Sequence, residues 1–554
     1  MMSEEILTLT SESQEPGRGR RRVGRVIANT GAVVLVMIER QGGAAEILHT
    51  GDLLIVGRNS SLCVGAVSSM SVPAPAAQGE TDELWIAEVE LYGALSEDGA
   101  VRHGLPRPPA LGDPACLAGE ADIRALYGPE ANGGMRIGTV AGTPYEATVA
   151  PAALTGGFAL LGSADFGKSC SMAVLVRALL RAREPVHPVL LDIHDEYGRS
   201  FGRAARIIRP GAGFLPHWLL TSDELAWVLS LSGGPLLPEE RSLLDEGVPY
   251  ARRRTLQRAD PAALDGSPVD GPLPYRIGDL LSWLDKTAQQ DALRGAVVYE
   301  RLRTRLRSAT ADGRLRVIFG GQPGQDTLGE FVHDVFSLRR PGPLLSVLQL
   351  GKLPLGLEGL FTAVIARIGT ALAEGTRGAV SVLLLLEEAD RFAPADTPTG
   401  VTALSSAALE KLVARGARSG IGLGFTSDRA SEVSGRLLRE APTVFVHRMS
   451  GEADRTRVTA ALPEAANAFL SAAATLGRSE VVACGKAVPV PGRLLMDSLP
   501  DAAVPGQVRA KGPRAAEDMV EDFIRRWRFG SEAAAADLPP RVSRREGGDA
   551  VPAA

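Results

Sequence analysis

Between about residue 152 and residue 500, short apolar runs alternate with longer segments whose apolar positions recur at helical spacing. The apolar runs are five to seven residues long, which is the length of a buried strand rather than of a helix. They cover residues 157–161, 188–193, 344–350, 380–386, 421–425 and 443–447. Apolar strands separated by helices are typical of a parallel sheet that is buried on both faces. The pattern therefore predicts an α/β domain with a mostly parallel sheet over residues 152–500.

A different pattern precedes this domain. Residues 21–110 contain short runs rich in β-branched residues, with glycine and asparagine between them, and this spacing predicts a small β-barrel. Residues 111–151 are rich in proline and glycine. We expect them to connect the two domains and to include a short helix at 121–127.

Inside the α/β domain, strand signals fade between residues 218 and 316 and helical signals replace them. This change begins at the string Thr221-Ser222-Asp223-Glu224, in which a threonine is followed three residues later by a glutamate. That spacing is a helix-start signature. We interpret 218–316 as a helical insertion into the sheet domain.

The two ends of the chain have compositions unlike a packed core. Residues 1–20 are polar and residues 531–554 are rich in alanine, proline and charge, so we expect both to be disordered. Residues 501–530 are interpreted as a linker followed by an amphipathic helix at 515–529.

Composition narrows the class of protein. The 554 residues are 45% hydrophobic and 23% charged, as in a folded soluble protein. The net charge of −5 neither favours nor excludes nucleic acid, because a protein that encloses DNA needs basic residues only on the channel wall.

No run approaches the roughly 18–20 apolar residues of a membrane helix, and the amino terminus lacks an apolar signal core. The four cysteines are widely spread, which suits a reducing compartment. We therefore expect a cytoplasmic protein that does not contact a membrane.

The apolar strand at 157–161 leads into a phosphate-binding motif. Residues 162–169 fit G-x-x-x-x-G-K-[ST] at every fixed position, between a strand and a helix. In such a loop, backbone N–H groups and the helix amino terminus bind phosphate. Lys168 would contact the β- and γ-phosphates, and Ser169 would ligate Mg²⁺. The residues expected to bind ATP are Gly162, Ser163, Ala164, Asp165, Phe166, Gly167, Lys168, Ser169 and Cys170.

Acidic residues end two further apolar strands. Because the carboxyl ends of parallel strands share one edge of a sheet, Glu387 and Glu388 would face the phosphate loop. We expect Glu387 to hold Mg²⁺ through a water and Glu388 to orient or deprotonate the attacking water. Asp192 ends the strand at 188–193 on the same edge and is a third candidate ligand of Mg²⁺. The alternative for its segment is a solvated loop.

These residues together resemble the HerA family of hexameric DNA translocases, in the HerA–FtsK branch of P-loop ATPases. The similarity extends from about residue 23 to residue 491. It includes the strings DIHDEYG at 192–198, LLEEADRFAP at 385–394 and ARSGIGLGFTSDRASEV at 417–433. The barrel segment is similar to the family's amino-terminal HerA–ATP-synthase barrel. The resemblance implies a RecA-like P-loop ATPase fold, ATP and Mg²⁺ as cofactors, and a homohexamer with DNA in its central channel.

In such rings the site lies between subunits, and an arginine from the neighbour stabilises the transferring phosphate. The resemblance places Arg418 and Arg448 at positions suited to this role. Arg415 and Arg429 are weaker candidates, and a local salt bridge is the alternative for each of the four.

The sequence departs from the family pattern at four acidic positions. Asp165 replaces a small residue, Asp195 a glycine, Asp390 a histidine and Asp428 a glutamine. That glutamine would sense the γ-phosphate, and an ionised carboxylate cannot donate the same hydrogen bond. An acid in the phosphate loop would also repel phosphate by roughly 3 kcal/mol unless it points outward.

The function expected first is an ATP-dependent DNA translocase or helicase that works as a hexameric ring. Its partner would be a nuclease, such as a NurA-like protein, or an antiphage-defence effector. The acidic departures favour an alternative, a nucleotide-dependent hexameric scaffold with weak ATPase activity. A secretion or conjugation motor of the same branch is a third possibility, against which the lack of a membrane segment counts.

Overall fold

A computed structural model of the chain describes residues 20–39, 48–58, 61–72, 84–96, 99–129, 134–259, 271–291, 295–339, 341–354, 356–462, 466–506, 520 and 524. The expected disorder of residues 1–20 and 531–554 concerns residues outside these ranges, except for Arg20, which is held by an ion pair with Asp122. The predicted helix at 515–529 also lies outside them except at two positions. The chain divides into two compact units, Met1–Pro505 and Gly506–Ala554. In the second unit, Val520 and Ile524 are helical.

The amino-terminal part of the first unit is a closed barrel of six antiparallel strands. In the order β1–β2–β5–β4–β3–β7, each strand pairs with the next, and β7 pairs with β1 to close the ring. Valine and leucine side chains fill the interior, as expected from the alternating pattern. A short additional strand, β6, pairs with β5 outside the ring. The strands are β1 Arg21–Asn29, β2 Val33–Ile38, β3 Leu53–Arg58, β4 Ser61–Ser71, β5 Ile86–Leu95, β6 Val101–His103 and β7 Pro114–Leu117.

A second sheet of eleven strands forms the centre of the α/β domain. Its order is β12-β13-β11-β14-β15-β10-β16-β17-β18-β8-β9. The first seven strands are parallel and the pairings from β16 to β9 are antiparallel. The strands are β8 Met135–Val140, β9 Glu146–Val149, β10 Gly157–Leu161, β11 Val186–Asp192, β12 Ala205–Ile208, β13 Leu345–Gln349, β14 Ser381–Leu386, β15 Ile421–Ser427, β16 Thr443–Val446, β17 Glu480–Gly485 and β18 Gly492–Met496.

Helices cover this sheet, so that its central strands are buried along their whole length. The helices are α1 Glu120–Tyr127, α2 Pro151–Thr155, α3 Lys168–Ala182, α4 Ser222–Ser230, α5 Pro238–Ala259, α6 Ile277–Gln290, α7 Ala296–Ala311, α8 Arg316–Phe319, α9 Leu328–Val335, α10 Leu357–Gly375, α11 Ala389–Phe392, α12 Val401–Ser419, α13 Gly435–Glu440, α14 Glu452–Ala461 and α15 Asn467–Leu470. The predicted α/β class with a mostly parallel sheet and an amino-terminal barrel is confirmed. None of the helices in the described ranges has both the length and the hydropathy to cross a bilayer.

Helices are the regular secondary structure of the described residues in the segment interpreted as an insertion. Helices α4 to α7 occupy it, and its described residues contain no strand. Helix α4 begins at the expected place, because the Thr221 hydroxyl accepts a hydrogen bond from the Glu224 N–H while the Glu224 carboxylate accepts one from the Thr221 N–H. Such a reciprocal pair satisfies two of the N–H groups that a helix start leaves open.

Residues 111–151 do more than connect the two domains. They supply β7 to the barrel, and β8 and β9 to the antiparallel end of the large sheet. Helix α1 lies between these strands and is fixed by the buried Tyr127, whose hydroxyl donates to the Pro491 carbonyl at 2.8 Å. The four cysteines, all in described ranges, are free thiols.

A buried ion pair joins helix α1 to the start of the barrel, and its loss should destabilise the protein. The Arg20 guanidinium donates to both Asp122 oxygens, at 3.0 and 2.8 Å, and Asp122 is fully buried. Removal of one partner from a buried pair leaves the other charge without compensation. We expect Asp122→Ala to lower the free energy of unfolding by about 3 kcal/mol, measured by urea denaturation.

The control is Glu120→Ala on the same helix, which breaks the exposed ion pair with Arg124. Exposed pairs contribute little, so this change should leave the unfolding curve almost unaltered. Equal effects of the two substitutions would show that the Arg20–Asp122 pair does not stabilise the structure.

Candidate functional site

The phosphate-loop motif lies between the carboxyl end of β10 and the amino end of α3. Two of its glycines have backbone conformations that other residues avoid, with φ of +148° at Gly162 and +100° at Gly167. At Gly162 a Cβ atom would also lie 2.7 Å from the His447 Cβ, so there is no space for a side chain. The loop thus turns the chain sharply and directs the amino end of α3 towards this edge of the sheet, where an anion is favoured.

Lys168 is the first residue of α3, and its side chain makes two polar contacts. Its ammonium group donates to the Ser163 carbonyl at 2.7 Å and forms an ion pair with an Asp428 oxygen at 2.6 Å. Asp428 follows β15, which pairs with β10, so strand order brings the two residues together. The Asp165 side chain, by contrast, is exposed to solvent.

Glu387 lies opposite the loop at the end of β14. Its Oε1 accepts a hydrogen bond from the Tyr197 hydroxyl at 2.8 Å and lies 3.5 Å from the Ser169 hydroxyl. Its Oε2 is buried and has no hydrogen-bond partner among the described residues. Burial raises the pKa of Glu387 to about 8, since the charged form loses its hydration.

A buried carboxylate oxygen without a partner, near a hydroxyl, is a suitable place for a divalent cation. Ser169 and Glu387 offer the oxygen ligands that Mg²⁺ prefers, so the residues present fit this ion. The described residues contain no cluster of three or more His, Cys, Asp or Glu that could hold a metal.

Asp192 is fully buried at the end of β11 and accepts two backbone hydrogen bonds. The N–H groups of Glu196 and Tyr197 donate to its two oxygens at 2.9 and 3.0 Å. Burial raises the pKa of Asp192 to about 6, against the effect of these bonds. In this arrangement Asp192 closes the turn that positions Tyr197. Its role as a ligand of Mg²⁺ stays a prediction.

Glu388 differs from its neighbour in orientation and in charge state. Its φ of +48° turns the chain out of β14, and its N–H donates to the Thr426 hydroxyl at 3.1 Å. One carboxylate oxygen lies 2.8 Å from the His194 Nε2 and the other accepts from Arg391 at 3.0 Å. Burial acts to raise the pKa of Glu388, but the bonds to His194 and Arg391 outweigh it and hold the pKa below its usual value. Glu388 is therefore ionised at neutral pH, as a proton acceptor must be.

The two principal arginine candidates lie in different places. The Arg448 guanidinium lies over the ring of Phe166, 5.1 Å from its centroid, and so contacts the phosphate loop of its own chain. Arg418 is exposed in the last turn of α12, just before β15. Because β15 runs parallel to β10, Arg418 lies at the opposite edge of the sheet, roughly 20 Å along the strand from the loop.

Sequence reasoning missed several residues that the structure brings to the site. Tyr197 contacts Glu387, while His194, Arg391 and Thr426 contact Glu388. His447 packs fully buried against Gly162, and burial together with the charge of Lys168 lowers its pKa to about 4. The strings at 192–198 and 385–394 contained three of these five residues. Nothing in a single sequence separates such residues from their neighbours.

A glycine loop between strand and helix, with lysine, serine and two acids at one sheet edge, defines a P-loop NTPase with a RecA-like core. The family model described as Helicase HerA, central domain, matches residues 135–368. The match covers 234 of the 554 residues, and this part of the chain is similar to the HerA family. No curated protein matches the sequence.

Several solved structures are similar in fold. VirB4 of Thermoanaerobacter pseudethanolicus is 14% identical, with 67% of this chain and 98% of that chain covered and a TM-score of 0.48. The bacterial conjugative coupling protein TrwBdeltaN70 is 14% identical, with 71% and 95% covered and a TM-score of 0.42. The genome packaging NTPase B204 of Sulfolobus turreted icosahedral virus 2 is 8% identical, with 60% and 92% covered and a TM-score of 0.27.

The state of Glu387 predicts a pH-dependent affinity for divalent cations. With a pKa raised by burial to about 8, the Glu387 carboxyl is mostly protonated at neutral pH, so a cation that binds there must displace the proton. The apparent affinity for Mg²⁺, measured by calorimetry with a non-hydrolysable ATP analogue, should therefore rise up to about tenfold per pH unit from pH 7 to pH 8 and level off above it.

The matched control is Glu387→Gln, which has the same shape but does not titrate. Its Mg²⁺ affinity should be weaker and should show only the shallower pH dependence of the nucleotide itself. Parallel pH profiles for the two proteins would contradict a displaced proton on Glu387.

Proposed function

We propose that the protein is an ATP hydrolase that works as a homohexameric ring and moves DNA through its central channel. The observation that carries the proposal is the pair of differently tuned glutamates opposite the phosphate loop. Glu387 is buried with one oxygen that has no hydrogen-bond partner among the described residues, and its pKa is raised. Glu388 is held by His194 and Arg391, and its pKa is lowered. Adjacent carboxyl groups whose surroundings shift their pKa values in opposite directions indicate separate roles in one reaction.

The contacts support a separate role in ATP hydrolysis for each of these residues. Lys168 and the loop N–H groups would bind the phosphates of ATP, and Ser169 and Glu387 would hold Mg²⁺. Bound Mg²⁺ would neutralise part of the phosphate charge. Glu388 would accept the proton of the attacking water, with its carboxylate fixed by two donors.

The position of Arg418 supports an assembly in which neighbouring chains share sites. An arginine at the far edge of the sheet does not contact the phosphate loop of its own chain, but one subunit can present it to the loop of the next. An arginine supplied in this way stabilises charge on the transferring phosphate. Arg448 contacts its own loop through Phe166, and we assign it a role within the same chain.

We further propose a nuclease or an antiphage-defence effector as the partner, in DNA end processing or defence. This part rests on the similarity to the HerA family alone. One contact favours the alternative of a scaffold with weak turnover, namely the ion pair that occupies Lys168. Turnover of the assembled protein separates the two functions.

Substitutions of Lys168 and Glu388 should separate nucleotide binding from ATP hydrolysis. We expect Glu388→Gln to lower kcat by about 10²- to 10⁴-fold while it keeps nucleotide affinity, and Lys168→Ala to lose nucleotide binding. ATPase rates with and without duplex DNA, on particles shown to be six-fold rings by electron microscopy, provide the measurement. Nucleotide-dependent rings that turn over no faster than Glu388→Gln would establish the scaffold instead, and hydrolysis indifferent to both substitutions would refute the proposed site.

Mixed rings test whether Arg418 acts on the neighbouring subunit. Arg418→Ala and Glu388→Gln should each be inactive alone, but a mixture should recover activity at interfaces that combine an intact Glu388 with an intact Arg418. The control is Arg377→Ala, an exposed arginine that lies just before β14 at the same edge of the sheet, and it should hydrolyse ATP normally. No recovery in verified mixed rings would place Arg418 outside the shared site.

A further inference from the structure

We infer that Asp428 is a resident counter-ion of the phosphate loop, which a nucleotide must displace and which weakens nucleotide binding. The inference rests on the proposed function, since it assigns a regulator to the same site. It starts from the ion pair in which an Asp428 oxygen lies 2.6 Å from the Lys168 ammonium.

The two members of this pair have different access to solvent. The Lys168 side chain is 9% exposed, whereas the Asp428 side chain is 45% exposed. A nearly buried ammonium loses most of its hydration and needs an anion or polar oxygens in exchange. In the structure, Asp428 and the Ser163 carbonyl together meet that need.

A bound triphosphate would compete for the same donors. The lysine ammonium has three N–H groups, and two of them are engaged by Ser163 and Asp428. Phosphate oxygens that approach Lys168 take the place of the carboxylate, because an oxygen at 2.6 Å leaves no room for another along the same N–H direction. Contacts to both the β- and γ-phosphates need two N–H groups, and Lys168 has only one left. Nucleotide binding therefore opens one of the two present contacts, and the half-exposed Asp428 is the partner that can leave.

Once displaced, the carboxylate has no favourable place beside the phosphates. Burial raises the pKa of the neighbouring Asp390, and the negative charges of Glu388 and Asp428 raise it further, so this side of the site is already acidic. The next residue, Arg429, already pairs with Glu432. Asp428 is half-exposed and can turn to solvent, which limits the repulsion without abolishing it.

The charge of Asp428, rather than its shape, should therefore control nucleotide affinity. Asp428→Asn keeps the size of the side chain and removes the charge. We expect it to tighten the binding of a fluorescent non-hydrolysable ATP analogue, with Mg²⁺ present, by about tenfold. Asp428→Glu, which keeps the charge, should stay close to the unaltered protein.

The control for a general loss of negative charge is Asp245→Asn, at an exposed position of α5, and it should not change the affinity. Damage to the fold weakens binding, so tighter binding by Asp428→Asn has no explanation in misfolding. The result is further checked by melting temperature, where Asp428→Asn should gain more from the analogue than the unaltered protein does.

Unchanged or weaker binding by Asp428→Asn, in a protein that otherwise binds the analogue through Lys168, would overturn the inference and leave the proposed ATPase intact. Failure of both proteins to bind the analogue at millimolar concentration would remove the proposed function and the inference with it.

Discussion

A parallel sheet buried on both faces is the constraint from which the rest of the site follows. Its strands are apolar along their length, so polar chemistry is confined to the strand ends. Four neighbouring strands, β11, β14, β15 and β10, end at the same edge, in register. Asp192 is the last residue of β11, and Glu387, Asp428 and Gly162 each follow directly after a strand. The sheet thereby brings into one place residues that lie far apart in the sequence.

Once these residues share an edge, their unequal surroundings give them different chemistry. Glu387 contacts the hydroxyl groups of Tyr197 and Ser169, and burial is the main cause that raises its pKa, with a further increase from the charge of Asp192. Glu388, one residue later, turns out of the strand towards His194 and Arg391 and keeps its charge. The left-handed backbone of Glu388 is the local cause, since it directs two consecutive side chains into different environments. Strain of this kind is often found at functional sites.

Much of the fold could be predicted from the sequence because the signals concerned are local. Apolar runs of strand length, the start of α4 at Thr221 and the glycine loop at 162–169 each depend on residues close together in the chain. The sequence predicts a connecting segment where the structure has the short strands β8 and β9, because strands near a sheet edge need little apolar character of their own. Their place was decided by pairing with β18, which begins more than 300 residues later.

The contacts within the site were less predictable, for a related reason. Asp192 offers the same carboxylate to a metal or to a backbone turn, and only the conformation of residues 193–197 directs the backbone N–H groups towards it. The pair formed by Lys168 and Asp428 exists because β15 lies beside β10, an order that no pattern along the chain reveals. Asp165 differs from Asp428 in this respect: it lies within the phosphate-loop motif itself, but its side chain is exposed to solvent.

The separation of polar groups between the two edges of the sheet bears on how copies of the chain could assemble. The phosphate loop and its acids lie at the carboxyl edge, and Arg418 lies at the amino edge. If a site needs both, as we propose, the surface that donates the arginine differs from the surface that receives it. Such contacts are head-to-tail, and they generate a closed ring when the successive rotations between subunits add up to one full turn. A two-fold dimer places identical surfaces against each other and does not repeat this contact around a channel. The proposed ring is thus the assembly that agrees with the position of Arg418 in a single chain.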